Sequence, residues 1–377
     1  MDFSQEALKK HRQLKGKIAI RLKDDLDQQS KLSIYYTPGV AAVSSYVAKH
    51  PAEARDYTWL NNNVAVISDG SAVLGLGSIG PYGALPVMEG KSMLFKHFAD
   101  IDAVPIVLDV HSADDIVNAV KAIAPSFGGI NLEDIAAPIC FEVEERLKKE
   151  LPIPVFHDDQ HGTAIVVLAG LINALKLTGR KLADCRVVIV GAGAAGTAIT
   201  KLLVEYDHPV VLVVDSKGIL SSKRTDLNKE KQALLQLTNP GDESGSLEDA
   251  LHAADIFIGV SSAGLLKPSM VKTMAKQPII FAMANPIPEI MPDLAKQAGA
   301  AIIATGRSDF ANQVNNALAF PGIFRGALDN HVRDITDQHK LKVAEVIAGL
   351  VEIPDAEHII PSVLDPRLVP AIAKVIR

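Results

Sequence analysis

Cysteine is scarce: a chain of 377 residues carries two, Cys140 and Cys185. Two thiols cannot build a disulfide framework or a thiolate zinc site, and so low a usage fits a reducing compartment. Each sits in or beside an apolar run, where a buried thiol is expected. A basic excess is missing as well. The net charge is −6, which excludes nucleic acid as an expected partner because phosphate binding needs a basic face. The first residues, Met-Asp-Phe-Ser-Gln-Glu, carry acids and no apolar stretch, so a secretory signal is absent there. The most apolar helical candidate, residues 163–175, is too short to span a bilayer. A cytoplasmic chain with no membrane partner is expected. There is no internal repeat and no low-complexity tract. The remainder is 48% hydrophobic and 22% charged, the composition of a globular protein long enough for two domains.

The stretch Pro152–Gly170 carries the strongest chemical signal. The apolar run Ile153–Phe156 reads as a strand that delivers two adjacent acids, Asp158 and Asp159, to a helix beginning near Gly162. Adjacent carboxylates repel, so they call for a nearby cation, either a divalent metal or a lysine ammonium. A second acid pair, Glu133 and Asp134, follows another apolar run in Asn131-Leu-Glu-Asp. Two such pairs suggest a hard-cation site of the Mg²⁺ or Mn²⁺ type. The plainer alternative is that each pair is a solvated loop or a helix N-cap. His157 and His161 flank the second pair at a spacing that imitates a zinc motif, but the glutamate of H-E-x-x-H is absent. They are therefore expected to hydrogen-bond or pack.

Periodicity predicts an α/β protein. Residues 5–28 read as an amphipathic helical start. Strand-like runs follow at 64–67, 104–108 and 153–156, separated by helical patterns at 84–99, 113–124 and 141–150. After residue 185 the alternation is more regular, with strands at 186–190, 210–214, 256–260, 279–283 and 301–304. Such alternation indicates a parallel, doubly wound sheet. The domain boundary is expected near residues 156–180, through a helix.

Arg-Val-Val-Ile-Val runs straight into Gly191-Ala-Gly193-Ala194-Ala195-Gly196 and a helix-compatible segment. This is a GxGxxG turn with both flanks present. Gly191 permits the turn, Gly193 lets the backbone approach a pyrophosphate, and Gly196 allows close helix–strand packing. The next strand ends in Asp215, nineteen positions after Gly196, where an acid would bond adenosine ribose hydroxyls. NAD is favoured because Asp215 repels a 2′-phosphate, while Lys217 and Arg224 keep NADP open. Two further strand ends, carrying Ser261 and Asn285, sit where nicotinamide and substrate would lie, or are ordinary turns.

Four more segments complete a pattern: Tyr35-Tyr36-Thr37-Pro38-Gly39-Val40-Ala41, Gly75-Leu-Gly-Ser-Ile-Gly80 with Glu89-Gly90-Lys91, the two acid pairs, and Asn315-Asn316-Ala-Leu-Ala-Phe-Pro-Gly322. In this order, with the GxGxxG turn, they resemble the malic enzyme family and in particular its compact prokaryotic members, over about residues 10–330. The resemblance implies that Tyr36 is the general acid and Lys91 the general base. It implies Glu133, Asp134 and Asp159 as metal ligands, Asp158 as the carboxylate paired with the lysine, and Asn285 and Asn316, with Asn315 beside it, as residues facing substrate and nicotinamide. Larger members have an arginine two residues before the Leu of Leu-Gly-Leu-Gly, gripping a substrate carboxylate. That position is Ala72 here, so carboxylate recognition would rest on the metal, Lys91 and the asparagines.

The chemistry suits those residue types. Oxidising a 2-hydroxy acid needs a base to take the hydroxyl proton as hydride leaves for nicotinamide. A lysine can serve if burial and a nearby metal lower its pKa. Mn²⁺ or Mg²⁺ polarises the new carbonyl and accepts electron density as CO₂ departs, and a tyrosine can protonate the enol at C3. The expected reaction is oxidative decarboxylation of (S)-malate to pyruvate with reduction of NAD(P). Alternatives on the same site are oxaloacetate decarboxylation and a malolactic conversion; a non-catalytic dinucleotide sensor is the alternative of another class. The expected architecture is an N-terminal domain over 1–155, a Rossmann domain over 156–320, and a tail over 321–377 packing back on the first. A homodimer is expected from the resemblance, with the apolar N-terminal segment contributing. No further fused domain is expected beyond Arg377.

Overall fold

The structure, a computed structural model, describes residues 3–73 and 75–377; Met1, Asp2 and Leu74, the first leucine of Leu-Gly-Leu-Gly, lie outside the described residues. The first sheet contains β1 (Asn63–Ser68), β2 (Asp102–Val107), β3 (Ile130–Leu132) and β4 (Val155–His157), all parallel, in the order β2-β1-β3-β4. Every residue of β1 is buried, as expected of a strand covered by helices on both faces. The second sheet contains β5 (Arg186–Val190), β6 (Val210–Asp215), β7 (Gly218–Ile219), β8 (Ile256–Gly259), β9 (Ile279–Ala282) and β10 (Ile302–Thr305), in the order β10-β9-β8-β5-β6-β7. Its strands are parallel except the two-residue edge strand β7, which pairs antiparallel with β6. Strand order reverses at β5, and that switch point opens the crevice beyond the carboxyl ends of the strands where such sheets bind ligands.

Some elements differ from the sequence expectation. The first helix covers Phe3–Leu14 and ends there, because Lys15 and Gly16 both take positive φ, 57° and 110°. β3 has three residues, one of them the polar Asn131, too few to show a period of two. The helix expected near Gly162 starts at Asp158 and runs 21 residues to Thr178. Gly162 is instead a clearance, since a Cβ there would stand 1.8 Å from Asp158 Oδ1. At that length the helix is long and apolar enough to cross a bilayer on length and composition alone, contrary to the shorter 163–175 reading. It is a core element: residues Ala164–Leu171 are all buried, and Gly170 lets the chain lie against the Phe281 ring of β9.

The C-terminal helices close over both sheets. From the helix Phe320–Asp329, Phe320 and Phe324 meet Phe95 of the first domain edge-on, at 4.6 and 5.3 Å between ring centroids. The helix Asp337–Gly349 is tied to Asp158–Thr178 through Asn173. The fully buried Asn173 side chain donates to the carbonyls of Ala348 at 2.9 Å and Ile359 at 3.0 Å. By contrast, the helices Gln29–Tyr35 and Val40–Lys49 bury no residue at all. Asn173→Leu strands the buried Ile359 carbonyl and leaves the Ala348 carbonyl its backbone donors, Val351 N–H among them; it is expected to cost about 1–3 kcal/mol, which urea unfolding monitored by circular dichroism would measure.

Candidate active site

Three elements of the first domain converge on one ammonium. The helix Gly80–Ala99 carries Lys91 inward. Glu133 follows the end of β3, and Asp158 opens the long helix directly after β4. Lys91 Nζ lies 2.5 Å from Asp158 Oδ2 and 2.7 Å from Glu133 Oε1, with Lys91 7% exposed and Asp158 fully buried. The Phe320 ring covers the ammonium at 4.2 Å, a cation–π contact in a desolvated place. Asp134 takes a positive φ of 54° and donates its backbone N–H to Asp159 Oδ2 at 2.7 Å, which links the two acid pairs. Ala72 donates its N–H to the Asp134 carbonyl at 3.0 Å, so the position lacking an arginine adjoins the acids.

At Lys91, burial and counter-charge compete. Burial does oppose the charged form of Lys91, but Asp158, Glu133 and Asp159 outweigh it and hold the ammonium above its ordinary value. The carboxyls shift the other way from ordinary acids. Burial pushes Asp158 up to about 6 against the pull of Lys91. Burial raises Glu133 and Asp159 as well. Three acids, Asp158, Glu133 and Asp159, act on one ammonium, and among the described residues no donor bonds the buried Asp158 Oδ1. This surplus of buried oxygen donors fits a hard divalent cation. The set is nonetheless not drawn into a cage: among the described residues, no three His, Cys, Asp or Glu side chains stand together at metal-binding distance. Glu133 turns instead to Lys91 and accepts from Asn131 Nδ2 at 2.9 Å.

The other anticipated residues are distributed unevenly. Tyr36 is 68% exposed, and no hydrogen bond of the site involves it. Asn316 packs beside the start of the long helix, its Cβ 3.1 Å from where a Gly162 Cβ would stand. The Asn315 side chain is used otherwise, accepting the Ala317 N–H at 2.8 Å as the cap of a short 3₁₀ turn. Asn285 is exposed after β9, and its carbonyl would lie 2.5 Å from a Cβ at Gly75, which brings the two domains together there. His161 Nε2 donates to the Glu144 carboxylate at 2.8 Å, and among the described residues neither ring nitrogen of the buried His157 is hydrogen-bonded. Both keep packing or hydrogen-bonding surroundings, with burial lowering His161 to about 4. Glu144, Phe320 and Glu289 were not foreseen, because their roles depend on contacts between elements that carry no local pattern.

At the nucleotide side, a cavity of about 830 Å³ is lined by Gly191, Gly193, Asp215, Lys217, Lys231 and Ser261. Ala194, Ala195 and Gly196 form the first turn of the helix behind it. The glycines of the turn differ in what surrounds them. A Cβ at Gly196 would lie 1.8 Å from the Gly191 carbonyl, whereas one at Gly193 would meet nothing, leaving backbone open to a ligand. Asp215 departs from the expectation of a free ribose acceptor. Its Oδ1 takes Arg224 at 2.8 Å and the Lys217 N–H at 2.9 Å; its Oδ2 takes Lys231 at 2.6 Å and Arg224 at 3.1 Å. Burial works to raise this carboxyl, but Arg224 and Lys231 prevail and hold it at about 2.

Comparison with known proteins agrees with this geometry. The family description "Malic enzyme, N-terminal domain" matches residues 15–148, and "Malic enzyme, NAD binding domain" matches residues 160–374. A bifunctional malic/malolactic enzyme of Bacillus subtilis is 52% identical, covering 100% of this chain and 92% of its own length. An NADP-dependent malic enzyme of Rhizobium meliloti is 47% identical over 98% of this chain and 51% of its own. The crystal structure of an NAD-dependent malic enzyme from Thermotoga maritima superposes with a TM-score of 0.95 at 52% identity, covering 98% of each chain. With both domains matched and full-length relatives at such identity, the chain belongs to the malic enzyme family.

Proposed function

We propose that this chain oxidatively decarboxylates (S)-malate to pyruvate and CO₂ with reduction of NAD(P), assisted by Mn²⁺ or Mg²⁺. The observation that carries the reading is Lys91, a buried ammonium 2.5 Å from Asp158 in a fold that also builds a dinucleotide crevice. Lys91 is the base for the C2 hydroxyl proton as hydride leaves, once its own ammonium proton has passed to Asp158. Burial favours its neutral form, and the carboxylates oppose this. Asp158, raised to about 6, stands where it can share the proton that Lys91 handles. Glu133, Asp134 and Asp159 would hold the divalent cation, which when bound polarises the C2 oxygen and takes up electron density as CO₂ leaves.

Tyr36 protonates the enol at C3, and we assign it to the site of a second copy. Its exposure supports this, as does the exposed apolar surface around it, with Ile34, Tyr35, Val40 and Val43 all open to solvent. Such a segment is a liability on a lone chain and suits a symmetric dimer interface. The cofactor reading widens from the sequence expectation. Since Asp215 is neutralised by Arg224 and Lys231, it no longer repels a 2′-phosphate, so both NAD and NADP fit. A second reading, malate to lactate with the nicotinamide retained, is favoured by Ala72 standing beside Asp134 in place of an arginine. The Bacillus subtilis relative carries both activities in its name. Two buried free thiols, Cys140 and Cys185, support a reducing, cytoplasmic setting.

Lys91→Ala is expected to lower malate oxidation on the order of 100-fold or more; near-normal rates of reduced-nicotinamide formation would contradict the assignment. Mixing Tyr36→Phe with Lys91→Ala, each inactive alone, should restore up to about a quarter of the sites if they are shared across a two-fold axis. Absence of complementation in proven mixed dimers would place Tyr36 in its own chain. Metal binding should also depend on pH. Acids with raised pKa stabilise the fold when protonated and lose that contribution as pH rises through about 6. Mn²⁺ is therefore expected to raise the melting temperature more at about pH 7.5 than at about pH 5.5. Equal shifts by calorimetry at both would argue against these carboxylates as the ligands.

A further inference from the structure

Glu289 is a fully buried acid outside the Lys91 cluster. Its Oε1 accepts the Ser261 N–H at 3.0 Å and its Oε2 accepts the Ala284 N–H at 2.9 Å. Among the described residues, no Lys, Arg or His pairs with it. Burial pushes the carboxyl up, and the two backbone N–H groups pull it back. A buried carboxylate held only by amides is an expensive way to fill space, since an apolar side chain of similar volume would cost less. Its partners explain the choice. Ser261 follows β8 and Ala284 follows β9, so one side chain bridges the carboxyl ends of two adjacent parallel strands at the ligand-binding edge of the sheet.

The surroundings are shaped around that bridge. Gly259, the last residue of β8, makes room for it, since a Cβ there would lie 2.4 Å from the Glu289 carboxyl carbon. The same segment grips the Ser261 loop twice more, with Gly264 N–H donating to the Pro288 carbonyl at 3.1 Å and Leu266 N–H to the Glu289 carbonyl at 3.0 Å. On its far side Arg307 donates to the Pro286 carbonyl at 2.9 Å.

We infer that Glu289 is a positioning residue for hydride transfer, fixing the Ser261 loop and the Asn285 loop at one separation. It touches neither cofactor nor substrate. The inference rests on the reading of Ser261 and Asn285 as facing nicotinamide and substrate. Hydride transfer is sensitive to donor–acceptor geometry, and a misplacement of about 1 Å can cost on the order of 100-fold. Two loops that must together orient the ring and the C2 hydrogen therefore gain from a single carboxylate that cannot satisfy one without the other.

The test is Glu289→Gln, which keeps the shape and one acceptor but points an NH₂ at the other backbone N–H. Per folded molecule, kcat/KM for malate is expected to fall roughly 10- to 100-fold with a raised KM for the nicotinamide cofactor. The primary deuterium isotope effect with 2-deuterated malate should increase, because hydride transfer becomes the slow step. Gly259→Ala, which intrudes on the carboxylate from the strand, should reproduce that signature if Glu289→Gln folds poorly. An unchanged isotope effect and KM, with any lost rate matched by a lost folded fraction, would overturn the inference and leave Glu289 a structural residue. Asn285→Ala, measured alongside, separates the two failures. If it retains full activity, the reading of the loops is at fault; if it is impaired while Glu289→Gln is not, the role given to Glu289 is at fault.

Discussion

The Lys91 ammonium, buried between Asp158 and Glu133, is the interaction on which the arrangement depends. It joins a helix of the first domain, the end of β3, and the helix that leaves β4 for the second domain. Removing the ammonium would leave carboxylates buried and uncompensated, which costs far more than the pair itself contributes. Other features follow from this constraint. The long helix begins at Asp158 because that residue must reach Lys91, and Gly162 leaves space for its Oδ1. Phe320 seals the ammonium from water and anchors the C-terminal helix on Phe95. The charge balance is uneven, with acids in surplus, which suits a divalent cation and holds Lys91 in its ammonium form.

The same long helix links the acid cluster to the nucleotide half. Its first turn carries Asp158 and Asp159, its middle packs against Phe281 of β9, and Asn173 near its end holds the C-terminal segment. A helix packed along its length moves as a rigid body, because close-packed interiors transmit displacement rather than absorb it. The carboxyl ends of β8 and β9, stapled by Glu289, share a sheet with Phe281, against which Gly170 of that helix packs.

Much of this was legible in the residue order. The strand Arg186–Val190 and the GxGxxG turn emerged with their limits intact, since a continuous run of β-branched residues and positional glycines are local signals. The pairing of Lys91 with Asp158 was expected from resemblance, and the two side chains stand 2.5 Å apart; spacing alone could not have joined residues 67 positions apart. The direction of the Lys91 shift is not legible in the sequence, because burial and counter-charge compete and only the distances decide between them. Asp215 was placed correctly in chain order but not in its bonds, because Arg224 and Lys231 are brought to it by a loop and a short helix. The Asn315 amide is spent on a cap, a use that the Asn-Asn pair does not announce. Glu289 could not have been found at all, since nothing local distinguishes it from a solvated glutamate.

The most direct measurement is absorbance at the reduced-nicotinamide band with purified protein and (S)-malate, comparing NAD with NADP, each with and without Mn²⁺, while pyruvate is assayed as product. Metal-dependent formation of reduced cofactor, matched mole for mole by pyruvate and abolished in Lys91→Ala, is the result expected of this site. Lactate accumulating from malate with no net reduced cofactor, or reduced cofactor formed equally well without Lys91, would contradict it.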